Sequence, residues 1–455
     1  MKLVIIFLLS VSTALAGFDQ RPPNFNVGNQ RAVFVDFESA TYDINYQADN
    51  QAAVVKTEIT FYQAEKGYPI FDLKIKPMSV NMGMEYVGQK LVSPPGQVTS
   101  FRMLQKELNP GTHTISILSQ LKSGTHYDTK RKNWHSVSSA FFIRDLKDRM
   151  FLEKYLPTNL EYDQYQMTMN VSVSGTKRFH SLFANGKVTK HSEFKYTVVF
   201  PDWYTSSSVF FHFVPINKFV RWYLKYPSID GRQIPVTIYS SYRFYNHYIK
   251  KKTWTVMKEL EADYGPWPHD KLIIYGTGIK GGMEYAGATE TSIISLGHEL
   301  QHAYFAKGLH PANGNAGWMD EAIASWRDKG HQSFDKPFYH SANLGAQNIY
   351  TRKTDKRSYE YGRSFMAYLD YQLKDLSLPG LKDFLRIYFD KRKYTTVTTQ
   401  DFKSDLEDYA RMSFDSDFFQ YIYGGNKTSH KHKHDYSHEN PHHPTITQEQ
   451  LDSIL

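Results

Sequence analysis

The chain has 455 residues, of which 41% are hydrophobic, 22% charged and 15% aromatic, so it has length for two or three domains with real cores and is not a disordered polymer. The formal charge of +8 is a modest excess, and the clusters Lys130-Arg131-Lys132 and Lys250-Lys251-Lys252 read as solvated surface rather than a nucleic-acid footprint. Cysteine is absent, which excludes thiol catalysis, thiolate-ligated zinc and lipidation of a cysteine.

Met1-Lys2 is followed by LVIIFLLSVSTALA and then Gly17. One positive charge, a short apolar run and small residues before Gly17 predict a cleaved secretory leader over 1–16, so a secreted or periplasmic mature protein is expected. No other stretch approaches membrane-spanning length. From Arg31 to about Ser240 the pattern is mostly strand, with alternating or β-branched runs at Val54–Tyr62, Thr112–Leu118, Met167–Val173, Phe194–Phe200, Val209–Val214 and Val236–Tyr239. Pro, Gly, Asn and Asp separate these runs, so an N-terminal antiparallel β domain is expected over 17–240. The patch Asp145–Tyr165 reads as a loop or short helix crossing it.

Near Tyr242 the character changes. Tyr242–Tyr264 has helical spacing and stops at Gly265-Pro266; Lys271–Tyr275 reads as a strand. Gly276 to Gly287 is glycine-rich around Met283-Glu284-Tyr285. Helices follow near Tyr359–Leu373, Leu381–Phe389, Thr399–Tyr409 and Phe414–Tyr421, so 241–425 is predicted to be mainly helical with a small sheet. The fold class is therefore α+β. Residues 426–455 hold histidines from His430 to His443 among Lys, Asn and Pro, with no apolar periodicity. A disordered tail is expected there, and weak metal capture is favoured over a merely solvating role.

The chemistry concentrates in His298-Glu299-Leu300-Gln301-His302, an H-E-x-x-H pattern. On a helix the two histidines lie one turn apart on one face, where one tetrahedral ion takes both imidazoles. Glu299 then flanks that ion without binding it, as suits a base acting on water. A match of five residues with three fixed also arises by chance in helices. The small and apolar run from Thr291 to Gly297 implies burial, which favours partnered ionisable groups. Glu321, within Trp318-Met319-Asp320-Glu321, is the expected third ligand on a second helix. Three protein ligands with an open position is the catalytic form of a zinc site.

Three segments resemble one family. HELQH followed by Glu321 is similar to the gluzincin signature, HExxH-x18-E. Gly281-Gly282-Met283-Glu284-Tyr285 resembles the G-x-M-E-N motif of the aminopeptidase N family. Ser358-Tyr359-Glu360-Tyr361-Gly362 resembles that family's Y-x-K-G segment. The resemblance covers about Ser207 to Tyr423, and more loosely extends back to Ala32. It implies a thermolysin-like catalytic domain with one catalytic zinc ion held by His298, His302 and Glu321. It implies Glu299 as general base and Tyr359 as donor to the oxyanion. Glu284 would pair with the substrate's free α-amine, and Gly281, Gly282 and Met283 would line the peptide groove. A second amine-binding glutamate from the β domain is implied too, with Glu153 the first candidate and Glu161 the second.

This sequence also departs from the family. Tyr285 stands where the motif has Asn, Asp320 where Asn is frequent, and Tyr361 where Lys is usual. The intervals from Glu284 to His298 and from Glu321 to Tyr359 are short for the family. No large helical domain follows Tyr423, so an open cleft is expected. The function implied is removal of N-terminal residues from peptides by a monomeric enzyme. A secreted zinc endopeptidase with an open cleft and a non-catalytic zinc-binding protein stay as alternatives.

Overall fold

Residues Ala52–Gln63 alternate along their length. Ala53, Val55, Ile59 and Phe61 turn into the core while Lys56 and Glu58 face solvent, the two-residue period of a half-buried strand. This strand pairs antiparallel with Asp36–Gln47 on one side and with Gly111–Gln120 on the other. Gln166–Ser174 continues the sheet and leads to Lys195–Val199 and Lys187–Ser192, and Ser79–Met82 and Glu85–Tyr86 follow Gly111–Gln120 at the other end, giving eight strands in all. A five-stranded and a four-stranded sheet complete this half among the described residues. Its pairings are antiparallel except at Gln166–Ser174 with Asp36–Gln47 and at Ala32–Phe34 with Tyr68–Ile70.

The structure is a computed structural model describing residues 20–130, 134–143, 151–278, 281–351 and 353–425, all within one compact unit. The expected leader over 1–16 and the histidine-rich tail over 426–455 lie outside the described residues. Asp145–Tyr165 is described from Phe151 onward, where it forms a 3-10 turn at Leu152–Lys154 and then turns and irregular chain with a single bridge from Thr158 to Asp72. No helix among the described residues is long and apolar enough to cross a membrane.

The second half is built on a five-stranded sheet in the order Val220–Pro227, Gln233–Ser240, Leu272–Gly276, Ala288–Thr291 and Gly282–Tyr285. Two of these strands precede residue 240, so the boundary read from the sequence crosses a sheet. Strand periodicity is the same on both sides of that boundary. Only the parallel pairing of Gln233–Ser240 with Leu272–Gly276 assigns the segment to the helical half. On this sheet lies the helix Arg243–Tyr264, whose Ile249, Val256, Met257 and Leu260 form its buried stripe. The expected later helices form at Arg363–Asp375, Leu381–Arg392, Thr399–Ala410 and Asp415–Tyr421. A capping box between Thr398 and Asp401 opens the third of them.

The two halves share a packed seam. Met283, Tyr285, Ala288 and Tyr239 from the second sheet pack with Ile143, Phe151, Phe210 and Val214 from the first half. Ala286 belongs to the core of the β half itself. Asn185 stitches the seam: its Nδ2 donates to the carbonyls of Ser208 and Ala286 at 2.7 Å each, and its Oδ1 accepts from Phe210 N at 2.8 Å. Asn185→Ala leaves the Phe210 N–H without a partner and removes one of two donors from each of the Ser208 and Ala286 carbonyls, and is expected to lower stability by about 2–3 kcal/mol. Urea unfolding measures this, and a loss below about 0.5 kcal/mol would contradict the role given to Asn185.

Candidate active site

The strand Gly282–Tyr285 sorts its side chains by alternation. Met283 and Tyr285 face the β half, so Gly282 and Glu284 face the opposite way, toward the HELQH helix. Gly281 enters the strand at a φ of +88°, which favours glycine. At Gly282 the constraint is space: a β-carbon there would lie 2.6 Å from the carboxyl carbon of Glu299. The strand backbone therefore lies directly against the Glu299 side chain. Tyr285, where the resembled motif has Asn, is buried; its ring meets Phe210 edge-on and its hydroxyl accepts from Ile143 N at 3.4 Å.

The HELQH segment forms the helix Leu296–Phe305. Leu296, Leu300, Ala303 and Tyr304 anchor it in the core. His298 and His302 emerge one turn apart, with ring centroids 4.8 Å apart. The next helix, Trp318–Asp328, brings Glu321 against both. Glu321 Oε2 lies 3.0 Å from His298 Nε2 and 3.6 Å from His302 Nε2. Two ligands at about 2.0–2.1 Å from a tetrahedral ion stand about 3.3 Å apart, so this donor set fits zinc. The other oxygen, Glu321 Oε1, accepts from the Tyr359 hydroxyl at 2.7 Å.

Tyr359 sits on a π-helical turn, Ser358–Gly362, that opens the helix Arg363–Asp375. This turn approaches the Glu321 helix so closely that a β-carbon on Gly362 would lie 2.6 Å from Ala322 Cβ. The Tyr359 ring is nearly parallel to that of His298, with centroids 5.9 Å apart. Tyr361, at the family's usual lysine position, instead stacks on Tyr339 at 4.5 Å.

Asp328, a residue the sequence reading missed, completes the arrangement around the two histidines. Its Oδ2 accepts from His298 Nδ1 at 2.8 Å, leaving Nε2 to face Glu321 and fixing the ring. The available signal was its place two turns after Glu321 on the same helix face. Asp320 accepts from the backbone N–H of Glu321 at 2.7 Å.

The electrostatics follow from burial and crowding. Burial pushes the Glu299 carboxyl up to about 8, with Glu284 and Glu321 adding to the shift and the two histidines opposing it. Burial disfavours a charged His302, but the charges of Glu284 and Glu321 outweigh it and raise the imidazole to about 9. His298 is likewise held well above the usual range: burial lowers it, and its bonds to Asp328 and Glu321 prevail. Glu321 is held far below the usual carboxylate range, against its burial, by the charge of His302 and the hydrogen bonds of both histidines.

His298, Glu299, His302, Glu321, Tyr359, Glu284 and Gly282 thus come together, with Gly281 beside them. Ligand atoms of Glu284, Glu299 and His302 lie within 4.8 Å of one another. Met283 turns away into the seam. Glu153 is buried on the turn Leu152–Lys154, where its carbonyl accepts from Lys74 N at 3.1 Å; its side chain is in neither His/Glu grouping found among the described residues. Glu161 accepts from the hydroxyls of Thr205, Ser206 and Ser207. Lys307, which the sequence reading did not single out, lies 3.5 Å from Glu284 Oε1.

No family model matches the sequence, and a search of curated proteins finds no match. Solved structures match the fold. An M1 zinc metallopeptidase from Deinococcus radiodurans is 14% identical with a TM-score of 0.57, covering 84% of this chain and 92% of that one. Aminopeptidase A of Legionella pneumophila, in complex with aspartic acid, is 12% identical with a TM-score of 0.63, covering 85% of this chain and 49% of that one. Leukotriene A4 hydrolase from Saccharomyces cerevisiae is 12% identical with a TM-score of 0.59, covering 82% and 65%. This chain therefore has the fold of the M1 zinc metallopeptidases, a β-rich region followed by a helical part.

Two outcomes follow from the geometry. Asp328→Ala removes the group that orients His298, and zinc affinity measured against a competing chelator is expected to fall about 10- to 100-fold. In chelator-treated protein, His302 has a folded value near 9 against the ordinary 6.5, so its stabilising contribution is complete below 6.5 and lost as pH rises through 9. Glu299, raised from 4.5 to about 8, adds a loss of the same sign between those values. The melting temperature of the chelated protein is thus expected to fall across pH 6.5–9. That of the zinc-loaded protein should hold steadier, because the ion replaces the protons. A flat profile after chelation would contradict this arrangement.

Proposed function

We propose that this chain is a zinc-dependent aminopeptidase that acts outside the cytoplasm. The observation that carries the reading is the convergence of His298, His302 and Glu321 on one point, with Glu299 and Glu284 beside it. The fold shared with zinc aminopeptidases supports it, and the leader sequence over 1–16 supports the address. One zinc ion per chain and a monomeric state are part of the proposal, as are peptides as substrates.

His298, His302 and Glu321 would hold a zinc ion, which would supply Lewis-acid chemistry at the scissile carbonyl and the attacking water. The chain's own residues do the rest. Glu299 takes the proton of the attacking water and returns it to the leaving amine nitrogen. Tyr359, hydrogen-bonded to the ligand carboxylate, is within reach of the oxyanion that develops at the carbonyl. Gly282 and its neighbours form the terminal strand of the sheet, whose free edge suits an extended peptide. Glu284 faces the same space as Glu299 and receives the substrate's α-ammonium. Lys307 beside Glu284 favours a second reading, cleavage that tolerates a blocked N-terminus.

Glu299→Gln keeps the size of the side chain and removes the base. Turnover of aminoacyl fluorogenic substrates is expected to fall by at least about 100-fold while zinc content stays at the wild-type level. Turnover within twofold of wild type would sink the mechanism.

A further inference from the structure

The carboxylate proposed to receive the substrate amine already has a cation beside it. Lys307 is fully buried, and its Nζ lies 3.5 Å from Glu284 Oε1, an oxygen with no hydrogen-bond partner among the described residues. The same ammonium donates to Ser207 Oγ at 2.8 Å, and Ser207 in turn donates to Glu161 Oε2. Ser206 and Thr205 also donate to Glu161, so that carboxylate is held firmly. The backbone N–H of Lys307 bonds the carbonyl of His302 at 2.9 Å, and the end of the HELQH helix therefore fixes where the ammonium enters. A buried lysine needs a partner charge. Here two carboxylates compete for it, Glu284 directly and Glu161 through Ser207.

We infer that Lys307 sets how strictly this site demands a free N-terminus. It takes up part of the Glu284 charge, reduces the advantage of an α-ammonium, and admits peptides whose N-terminus is blocked. This rests on the peptidase function proposed above and on Glu284 as amine anchor. The separation of 3.5 Å is longer than a charge-assisted hydrogen bond of about 2.7–2.9 Å, so Glu284 is shared rather than capped. Glu161 governs the sharing. Held toward Ser207 and Glu161, the ammonium leaves Glu284 most of its charge; released from Glu161, it neutralises Glu284 more fully. Within a water-poor pocket such shifts in charge act with little screening.

The test is the ratio of kcat/KM for one peptide with a free and with an acetylated N-terminus, measured on zinc-loaded wild type and variants. Calorimetric affinities for a non-hydrolysable pair of the same peptides are measured alongside, with zinc content and melting temperature for each variant. Lys307→Met is expected to raise the free-to-blocked preference about tenfold. Glu161→Gln and Ser207→Ala are expected to lower it, and Glu284→Gln to bring it close to one whichever residue stands at 307. The opposite signs matter because Lys307→Met alone could fail to fold, whereas Glu161→Gln and Ser207→Ala keep the lysine. An unchanged preference in folded, zinc-replete Lys307→Met overturns the inference. So does a shift of the same sign in Lys307→Met and Glu161→Gln. Failure of the peptidase reading looks different: the zinc-loaded wild type then cleaves neither peptide, while the calorimetric affinities still report on Lys307.

Discussion

One buried carboxylate organises the second half of this protein. Glu321 is 4% exposed, and a carboxylate so placed must be surrounded by donors. It receives them from two separate segments: His298 and His302 of one helix and Tyr359 of a π-helical turn. None of these partners is adjacent in sequence. Their meeting depends on two helices and a turn being driven together by the core beneath, in which Leu300, Ala322, Ile323 and Phe365 are completely or almost completely buried. The same packing that satisfies the carboxylate leaves two imidazole nitrogens and an oxygen at the spacing an ion requires.

What the sequence disclosed follows the range of the interactions involved. The HELQH pair was legible because a helix fixes residues four apart without any help from the rest of the chain. The strands from Ala52–Gln63 to Gln233–Ser240 were legible by alternation, again a local rule. Glu321 was named as an acid on a following helix, whereas Glu284 and Tyr359 were named through resemblance to a family, because no local rule brings them to His298. Asp328 and Lys307 escaped, since each acts across a gap that only tertiary packing closes. Glu153 was placed ahead of Glu161 without a local rule to support the order: both are buried acids in the β half, and position in the chain does not tell which faces the second half. Near residue 240 a long-range pairing joins Gln233–Ser240 to Leu272–Gly276, which no local pattern discloses.

Specificity and architecture are bound together at four residues, Gly282 to Tyr285. Alternation gives one face of this short strand to the site and the other to the seam. Gly282 yields room to Glu299 and Glu284 lies beside Glu299 and His302, while Met283 and Tyr285 are held by aromatic and aliphatic side chains of the first half. Tyr285 is therefore an anchor rather than a lost substrate contact. Its ring and hydroxyl tie the strand to Phe210 and Ile143.

The seam carries a further consequence. Ala286 is counted within the core of the β half although it lies on the chain of the helical half, and Asn185 bonds across the same boundary. Neither half can lose its packing without exposing apolar surface of the other. The protein should then melt as one cooperative unit, with its halves refusing to be expressed apart, even though its architecture divides by eye into a β part and a helical part.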